Sequence, residues 1–140
     1  MHIERSNVPG LSEPPGYTHL ATITDGRLVF IAGQVPLDEH GELVGRGDRV
    51  AQAHQCLRNL ATSLRAASVQ PDDVVRTTVY VVARESAELG RVWRTLLDSE
   101  LSAVVRTPAT LLGVAWLGYE GQLVEIECTA VGPPAVNEDR

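Results

Sequence analysis

The sequence predicts an α+β fold in which a mixed β-sheet carries two helices on one face, in the order β-β-α-β-α-β-β. Two segments repeat apolar residues at intervals of three and four, whereas others alternate apolar and polar residues or are rich in β-branched residues. Of the 140 residues, 44% are hydrophobic and 4% aromatic, which suits a core of Val, Leu, Ile and Ala. We therefore expect a single domain over residues 1–140.

The N-terminal part of the chain is predicted to hold a β-hairpin. An irregular segment rich in turn residues, NVPGLSEPPG, comes first. The strings YTHLATI and RLVFIAGQV follow, and the Asp25-Gly26 pair between them favours a tight turn with positive φ. The next stretch, PLDEHGELVGRGD, has no apolar period and is expected to be a loop that ends in a helix cap.

Two amphipathic helices enclose a central strand. Asp48 is a suitable N-cap for the first helix, which ends before Pro71. Its apolar positions are Val50, Ala53, Leu57, Leu60, Leu64 and Ala67. The β-branched string VVRTTVYVV is typical of a buried strand. Ser86 is the expected cap of the second helix, whose buried residues are predicted to be Leu89, Val92, Trp93, Leu96 and Leu97.

Two further strands, ATLLGVAWL and QLVEIECTAV, close the predicted sheet. Apolar residues in the last strand alternate with polar ones, which assigns one sheet face to the core and the other to polar surroundings. The residues predicted on the polar face are Arg76, Thr78, Tyr80, Glu125, Glu127 and Thr129. A half-polar face of this kind is either solvated or used in assembly.

The composition excludes several classes of function. A formal net charge of −6, with no basic run, argues against nucleic-acid binding. All twelve basic residues are arginine, which excludes Schiff-base chemistry on a lysine. The four histidines lack metal-ligand spacing and no nucleotide-binding glycine motif occurs, so we expect no metal and no cofactor. Cys56 and Cys128 are expected to be core thiols, and the absence of a signal region or long apolar stretch favours a soluble cytoplasmic protein without a membrane partner.

Three local strings, PPGYTHL, FIAGQVP and TPATLLGVAWL…LVEIECTAV, together resemble the RidA/YjgF family of reactive-intermediate deaminases. The resemblance covers about Tyr17 to Val131, which sets the expected core of the domain. It implies a chorismate-mutase-like subunit, a homotrimer, and active sites in clefts between neighbouring subunits. The best-known members hydrolyse enamines and imines, such as 2-aminoacrylate, to ketoacids and ammonia without a cofactor. A small-molecule ligand in an intersubunit cleft is therefore implied here.

Carried over by position, the resemblance assigns catalytic roles to Tyr17 and Glu125 and a substrate-binding role to Gly33. The Tyr17 hydroxyl, in PGY where the family has GPY, would close one wall of the cleft; the alternative is an ordinary packing tyrosine. Glu125 corresponds to the glutamate that helps to place water, or else it is a solvated strand residue. Gly33 corresponds to a glycine that lines the cleft, or else it simply ends a strand.

The chain departs from the family at position 110. Active members have an arginine in a Pro-Ala-Arg string that binds the substrate carboxylate through two donors, whereas Thr110 follows Pro108 and Ala109 here. A substrate-binding arginine could instead be Arg106 of a neighbouring subunit, since within one chain Arg106 lies about 13 Å away at roughly 3.3 Å per residue. The asparagine of the family's second helix is also unmatched, with Gly90 nearest its place. We therefore expect poor hydrolysis of 2-aminoacrylate, or none.

Three functions remain open at this point. Glu125 and Tyr17 favour a cofactor-free hydrolytic deaminase of an enamine, imine or related small metabolite, with an altered substrate range. Thr110 and Gly90 favour a non-catalytic trimeric small-molecule-binding protein of the same fold. An endoribonuclease, an activity attached by name to some members, is disfavoured by the acidic charge and the absence of a catalytic histidine pair.

Overall fold

The computed structural model describes residues 2–136, in which six strands and two α-helices follow one another as β-β-β-α-β-α-β-β. The strands are β1 (His2–Ser6), β2 (Leu20–Asp25), β3 (Arg27–Gln34), β4 (Val74–Val82), β5 (Ala109–Val114) and β6 (Val124–Gly132). The helices are α1 (Arg49–Ala66) and α2 (Ser86–Leu97). The order of elements predicted for the chain is confirmed from β2 onwards, and β1 is an additional strand.

Four strands form the main sheet in the spatial order β3-β6-β4-β5. β6 is antiparallel to both of its neighbours, whereas β4 and β5 are parallel, so the sheet is mixed as predicted. A parallel pair needs a crossover connection, and α2 lies in the connection between β4 and β5. The register places Thr78 of β4 between Thr110 of β5 and Glu127 of β6.

The hairpin predicted around Asp25-Gly26 is wrong. Gly26 has a φ of 144° and turns the chain, as that pair suggested. The turn, however, leads from one sheet to another: β2 pairs with β1 in a separate two-stranded sheet, whereas β3 pairs with β6. A turn signal is local, and it does not specify which strand will be the partner of the next.

The additional strand β1 is held by its arginine rather than by apolar side chains. Arg5 donates hydrogen bonds from Nη2 to the carbonyl oxygens of Asp72 and Val74, each at 2.7 Å. Its Nε donates to Thr107 Oγ1 at 3.1 Å. These contacts connect β1 to the beginnings of β4 and β5, which lie far from it in sequence. A five-residue segment with Ile3 as its one aliphatic residue offers little local signal for a strand.

One hydrophobic core lies between the main sheet and the two helices, with α1 over β3 and β6 and α2 over β4 and β5. The side chain of Asp48 accepts a hydrogen bond from the Ala51 amide, so the predicted cap of α1 is confirmed. The N-cap of α2 is Glu85 rather than Ser86. The inner face of α2 is partly as predicted, because Val92 and Leu96 are fully buried whereas three predicted core residues are only partly buried: Leu89, Trp93 and Leu97.

Both cysteines are free and buried in this core, as predicted. Burial raises the pKa of Cys56 to about 12 and that of Cys128 to about 11. Because the thiolate is the nucleophilic form, neither cysteine is suited to catalysis near neutral pH.

The other face of the main sheet carries no helix from residues 2–136, and we call it the open face. Its side chains include Leu28, Phe30, Arg76, Thr78, Tyr80, Thr110, Leu112, Glu125, Glu127 and Thr129. The predicted polar centre is confirmed, and there the Tyr80 hydroxyl donates a hydrogen bond to Glu127 Oε1. Apolar residues lie at the edges of the open face, where Phe30 is 77% and Leu28 59% exposed. No helix between residues 2 and 136 has the length and apolar character needed to cross a membrane.

Candidate functional site

Glu125 and Gly33 lie against each other at one side of the open face. The pairing of β3 with β6 changes register between Ile31 and Gln34, and this irregularity brings the backbone of Gly33 to the Glu125 carboxylate. A Cβ atom on residue 33 would lie 2.6 Å from Glu125 Oε2 and 2.7 Å from its Cδ, so glycine leaves the space that the carboxylate occupies. Two predicted site residues are therefore neighbours in one chain.

Gln122 orients the Glu125 carboxylate. It is 3% exposed, and its Nε2 donates to Glu125 Oε1 at 3.2 Å and to the Val124 carbonyl at 3.1 Å. Its Oε1 accepts a hydrogen bond from the Tyr119 amide at 3.1 Å. Both the amide nitrogen and the oxygen of the Gln122 side chain form hydrogen bonds, so Gln122 is fixed in place and in turn fixes the position of Glu125 Oε1. Within residues 2–136 Glu125 forms no ion pair, so no arginine neutralises it.

A second buried glutamine, Gln52 of α1, anchors the segment that leads into Glu125. It is fully buried, and its Nε2 donates to the carbonyl oxygens of Gly45 at 3.1 Å and Gly121 at 3.0 Å. Its Oε1 accepts from the Leu123 amide at 2.6 Å. Sequence reasoning missed both glutamines, since this residue type is mostly exposed. Gln52 could have been assigned to the buried face of α1, because it lies one helical turn before Cys56, which is buried on that face.

Tyr17 lies beside α2 near the beginning of β5. Its ring makes edge-on contacts with His19 and Trp93, at centroid distances of 6.2 and 6.4 Å. The next residue, Thr18, donates its amide hydrogen to the Thr107 carbonyl at 3.4 Å, which places this segment at the beginning of β5. No hydrogen bond in the described chain joins Tyr17 to Glu125. Tyr17 packs against Trp93 of α2, whereas Glu125 lies against Gly33 and Gln122, so these two predicted catalytic residues have different neighbours within one copy.

Thr110 of β5 contacts an arginine that had no predicted role. Arg76 of the neighbouring strand β4 donates a hydrogen bond from Nη2 to Thr110 Oγ1 at 2.7 Å. Sequence alternation correctly placed Arg76 on the polar face of the sheet. Its contact with Thr110 could not be predicted, because it depends on the parallel pairing of β4 with β5.

Arg106, the arginine proposed as a substitute, is exposed in the turn before β5. Its amide donates to the Ser102 carbonyl at 3.2 Å, whereas its guanidinium has no hydrogen bond or ion pair with any described residue. Gly90 is exposed on α2, and a Cβ atom there would have no other atom within 4 Å.

The predicted residues thus fall into separate groups in one chain. Glu125 and Gly33 form one group, Thr110 lies with Arg76 further along the open face, and Tyr17 packs beside α2. Between residues 2 and 136, no three His, Cys, Asp or Glu side chains lie close enough together to hold a metal ion.

Comparison with known proteins gives concordant results. A family model described as Endoribonuclease L-PSP matches residues 12–132. The chain is 31% identical to the 2-iminobutanoate/2-iminopropanoate deaminase of Mus musculus over 111 residues, which are 79% of this chain and 78% of the mouse protein. A RutC family protein from Pyrococcus horikoshii is 43% identical over 60 residues, or 42% of this chain, and the match spans about half (47%) of that relative's length. The crystal structure of a Rid family protein of unknown function from Yersinia pestis has a TM-score of 0.83 and 34% identity, covering 94% of this chain and 99% of that one.

Proposed function

Because the chain belongs to the RidA/YjgF family, whose model is described as Endoribonuclease L-PSP, we propose that it is a cofactor-free hydrolase of a small enamine or imine, with an altered substrate range. It has the chorismate-mutase-like fold expected from the sequence. The mouse relative is named a deaminase of 2-iminobutanoate and 2-iminopropanoate, which indicates imine hydrolysis as the class of reaction.

The environment of Glu125 carries the proposal. Its carboxylate is half-buried, held by Gln122 at 3.2 Å, and paired with no cation among the described residues. A carboxylate held in this way can accept a proton from a water molecule and keep that water in a fixed position. Gly33 leaves room for the carboxylate itself, and Oε2 is the oxygen that Gln122 does not contact.

The reaction would proceed by addition of water to the carbon–nitrogen double bond. The water oxygen bonds to the imine carbon as Glu125 takes one of its protons, and the electron pair of the double bond moves to nitrogen. Nitrogen takes up that proton from Glu125, which gives the neutral carbinolamine. The remaining hydroxyl proton is then transferred to nitrogen, the carbon–nitrogen bond breaks as its electron pair leaves with ammonia, and an oxygen electron pair completes the carbonyl of a ketone or ketoacid. No electron acceptor or donor is consumed.

We place the reaction between two copies of the chain. Glu125 and Gly33 of one copy would face Thr110 and Tyr17 of its neighbour, since these residues do not meet within one copy. The open face supports such an assembly, because Phe30 is 77% exposed at its edge and large exposed apolar side chains on a sheet favour association. A homotrimer closed by rotational symmetry satisfies this arrangement for every copy.

The proposal is tested with Glu125→Gln and with Glu120→Gln as its matched control. Glu120 is exposed in the loop before β6 and its side chain has no hydrogen bond or ion pair with any described residue, so its substitution makes the same chemical change away from the Glu125 carboxylate. Imines of several amino acids are generated by an amino-acid oxidase, and the imine that survives is trapped with semicarbazide. We expect wild type and Glu120→Gln to hydrolyse at least one imine faster than water does, and Glu125→Gln to lose that acceleration while its thermal midpoint is unchanged.

Equal rates for wild type and Glu125→Gln would remove Glu125 as the group that positions water. Light scattering tests the assembly, with an expected mass of three times the 15.1 kDa chain. A stable monomer at micromolar concentration would contradict the proposed cleft.

A non-catalytic binding protein is the second candidate, because Thr110 stands where active members have an arginine and Gly90 stands nearest their asparagine. Under this alternative no imine in the panel would be hydrolysed, although small ligands would still bind. An endoribonuclease, the activity in the family description, is not proposed. The net charge is −6, and Arg76 faces two glutamates on the described part of the open face.

A further inference from the structure

We propose that Arg76 is the residue that binds the carboxylate of an anionic substrate, with Thr110 fixing its guanidinium. This inference rests on the proposed imine hydrolysis and specifies which imines the site accepts. The negative charge of the substrate would then be bound by a residue of β4, in place of the β5 arginine that active family members have and this chain lacks.

Arg76 has the geometry of a prepared anion-binding group. Its Nη2 donates to Thr110 Oγ1 at 2.7 Å, which restrains one side of the planar guanidinium. A guanidinium has five donors, so this contact leaves enough of them for a carboxylate bound through two parallel hydrogen bonds. Restraint of the side chain before binding lowers the entropy lost when the ligand binds.

Arg76 also forms no ion pair with the carboxylates near it. Glu127, the carboxylate closest to it by strand register, accepts a hydrogen bond from Tyr80, and Glu125 accepts one from Gln122. Among residues 2–136 Arg76 takes part in no ion pair. Both glutamates keep their negative charge, so an external anion would be bound by direct hydrogen bonds from the exposed guanidinium and not by a positive local field.

Space for a small acid adjoins this arginine. A depression of about 240 Å³ on the open face is bordered by Arg76, Thr78, Glu127, Thr129 and Phe30, together with neighbouring backbone. The volume matches a metabolite of a few carbon atoms, and Phe30 supplies an apolar wall for an alkyl group. Arg76 and Phe30 in this lining therefore favour a small carboxylate that carries a short apolar chain, with its charged end at Arg76 and not beside Glu127.

The position of the guanidinium also bears on substrate length. An arginine at residue 110 would carry its guanidinium well beyond the place of the Thr110 hydroxyl, whereas the Arg76 guanidinium contacts that hydroxyl directly. The substrate carboxylate is therefore bound closer to the sheet. This geometry suits 2-imino acids longer than 2-aminoacrylate, and it agrees with the poor hydrolysis of 2-aminoacrylate expected from the sequence.

The test measures binding of 2-oxobutanoate, the stable product of 2-iminobutanoate hydrolysis, and of the neutral 2-oxobutanamide by ligand-observed NMR. Wild type, Arg76→Gln, Arg76→Lys, Arg94→Gln and Arg106→Gln are compared, each with its thermal midpoint. Arg94→Gln is the matched control, because it removes the same charge from an exposed arginine of α2 that has no part in the proposed site, whereas Arg106→Gln tests the alternative carboxylate-binding arginine. We expect Arg76→Gln to weaken 2-oxobutanoate binding roughly ten- to a hundredfold without affecting the amide, and Arg94→Gln to change neither. Arg76→Lys keeps the charge but not the paired donors, so its affinity should be intermediate.

Three results would overturn the inference: wild type binding acid and amide equally, Arg106→Gln weakening the acid while Arg76→Gln does not, or Arg76→Gln weakening both ligands equally. Its failure is distinguishable from failure of the proposed function. Hydrolysis of a 2-imino acid that does not depend on Arg76 would refute the inference and leave imine hydrolysis standing. Carboxylate binding that depends on Arg76, with no imine hydrolysed, would support the inference and refute the hydrolase.

Discussion

Substitution of Gly33 by alanine should disturb the proposed site with little effect on the fold. The added Cβ would lie 2.6 Å from Glu125 Oε2, whereas ordinary contact begins at 3.4 Å, so the carboxylate must move by about 0.8 Å. The obstructing atoms are the far end of a flexible side chain, which can move at low energetic cost. Gly33 is not among the glycines with positive φ, so alanine meets no backbone strain there.

We therefore expect Gly33→Ala to lower the rate of hydrolysis and to leave the stability of the fold almost unchanged. The Gln122 hydrogen bond to Glu125 is already 3.2 Å long, at the upper end of the normal range, and is easily lost when the carboxylate shifts. A displacement of about 1 Å in a catalytic arrangement can cost about a hundredfold in rate. We expect kcat/KM for the best imine to fall roughly ten- to a hundredfold. The free energy of unfolding should change by less than about 1 kcal/mol.

Gly113→Ala is the matched control for this experiment. It makes the same change in a strand, but its Cβ would lie 3.6 Å from a Leu89 methyl group, which is ordinary contact. Imine hydrolysis and urea denaturation are measured for both variants and for wild type. If Gly33→Ala hydrolyses the imine as fast as Gly113→Ala does, the close approach of Gly33 to Glu125 has no part in catalysis.

Three other substitutions give independent tests. Thr110→Arg should raise hydrolysis of freshly generated 2-aminoacrylate roughly ten- to a hundredfold over wild type in a coupled assay, because it adds two parallel donors at the family position, and no gain would refute the role given to residue 110. The hydrogen bond to Glu127 raises the pKa of Tyr80. The free energy that this bond contributes to folding is therefore fully present below the pKa of an unfolded tyrosine, about 10, and is lost as pH rises through the higher pKa of Tyr80 in the folded protein. In an ultraviolet titration one of the three tyrosines should therefore ionise late, and Glu127→Gln should abolish that delay. Gly90→Ala should stabilise the exposed middle of α2 by about 1 kcal/mol in urea denaturation, and a loss of stability would show an unrecognised contact there.

The sequence by itself determined the helices and strands that are specified by the spacing of apolar and β-branched residues within one segment. The helical period after Asp48 predicted α1 and its cap, and the β-branched string VVRTTVYVV predicted β4 from Val74 to Val82. Alternation in the last strand separated Glu125 and Glu127 from the core-facing residues. These features follow from geometry that each segment carries by itself, with a period of 3.6 in helices and 2 in strands.

The tertiary structure alone decided which segments meet. The Asp25-Gly26 turn connects two sheets rather than two paired strands, because the partners of β2 and β3 come from opposite ends of the chain. The contact of Arg76 with Thr110 spans 34 positions and exists only because β4 and β5 are parallel neighbours. Gly33 likewise reaches Glu125 through an irregular pairing of β3 with β6. Side-chain periodicity assigns a residue to a face, but the neighbour it finds there is set by strand order and register, which depend on how the whole core packs.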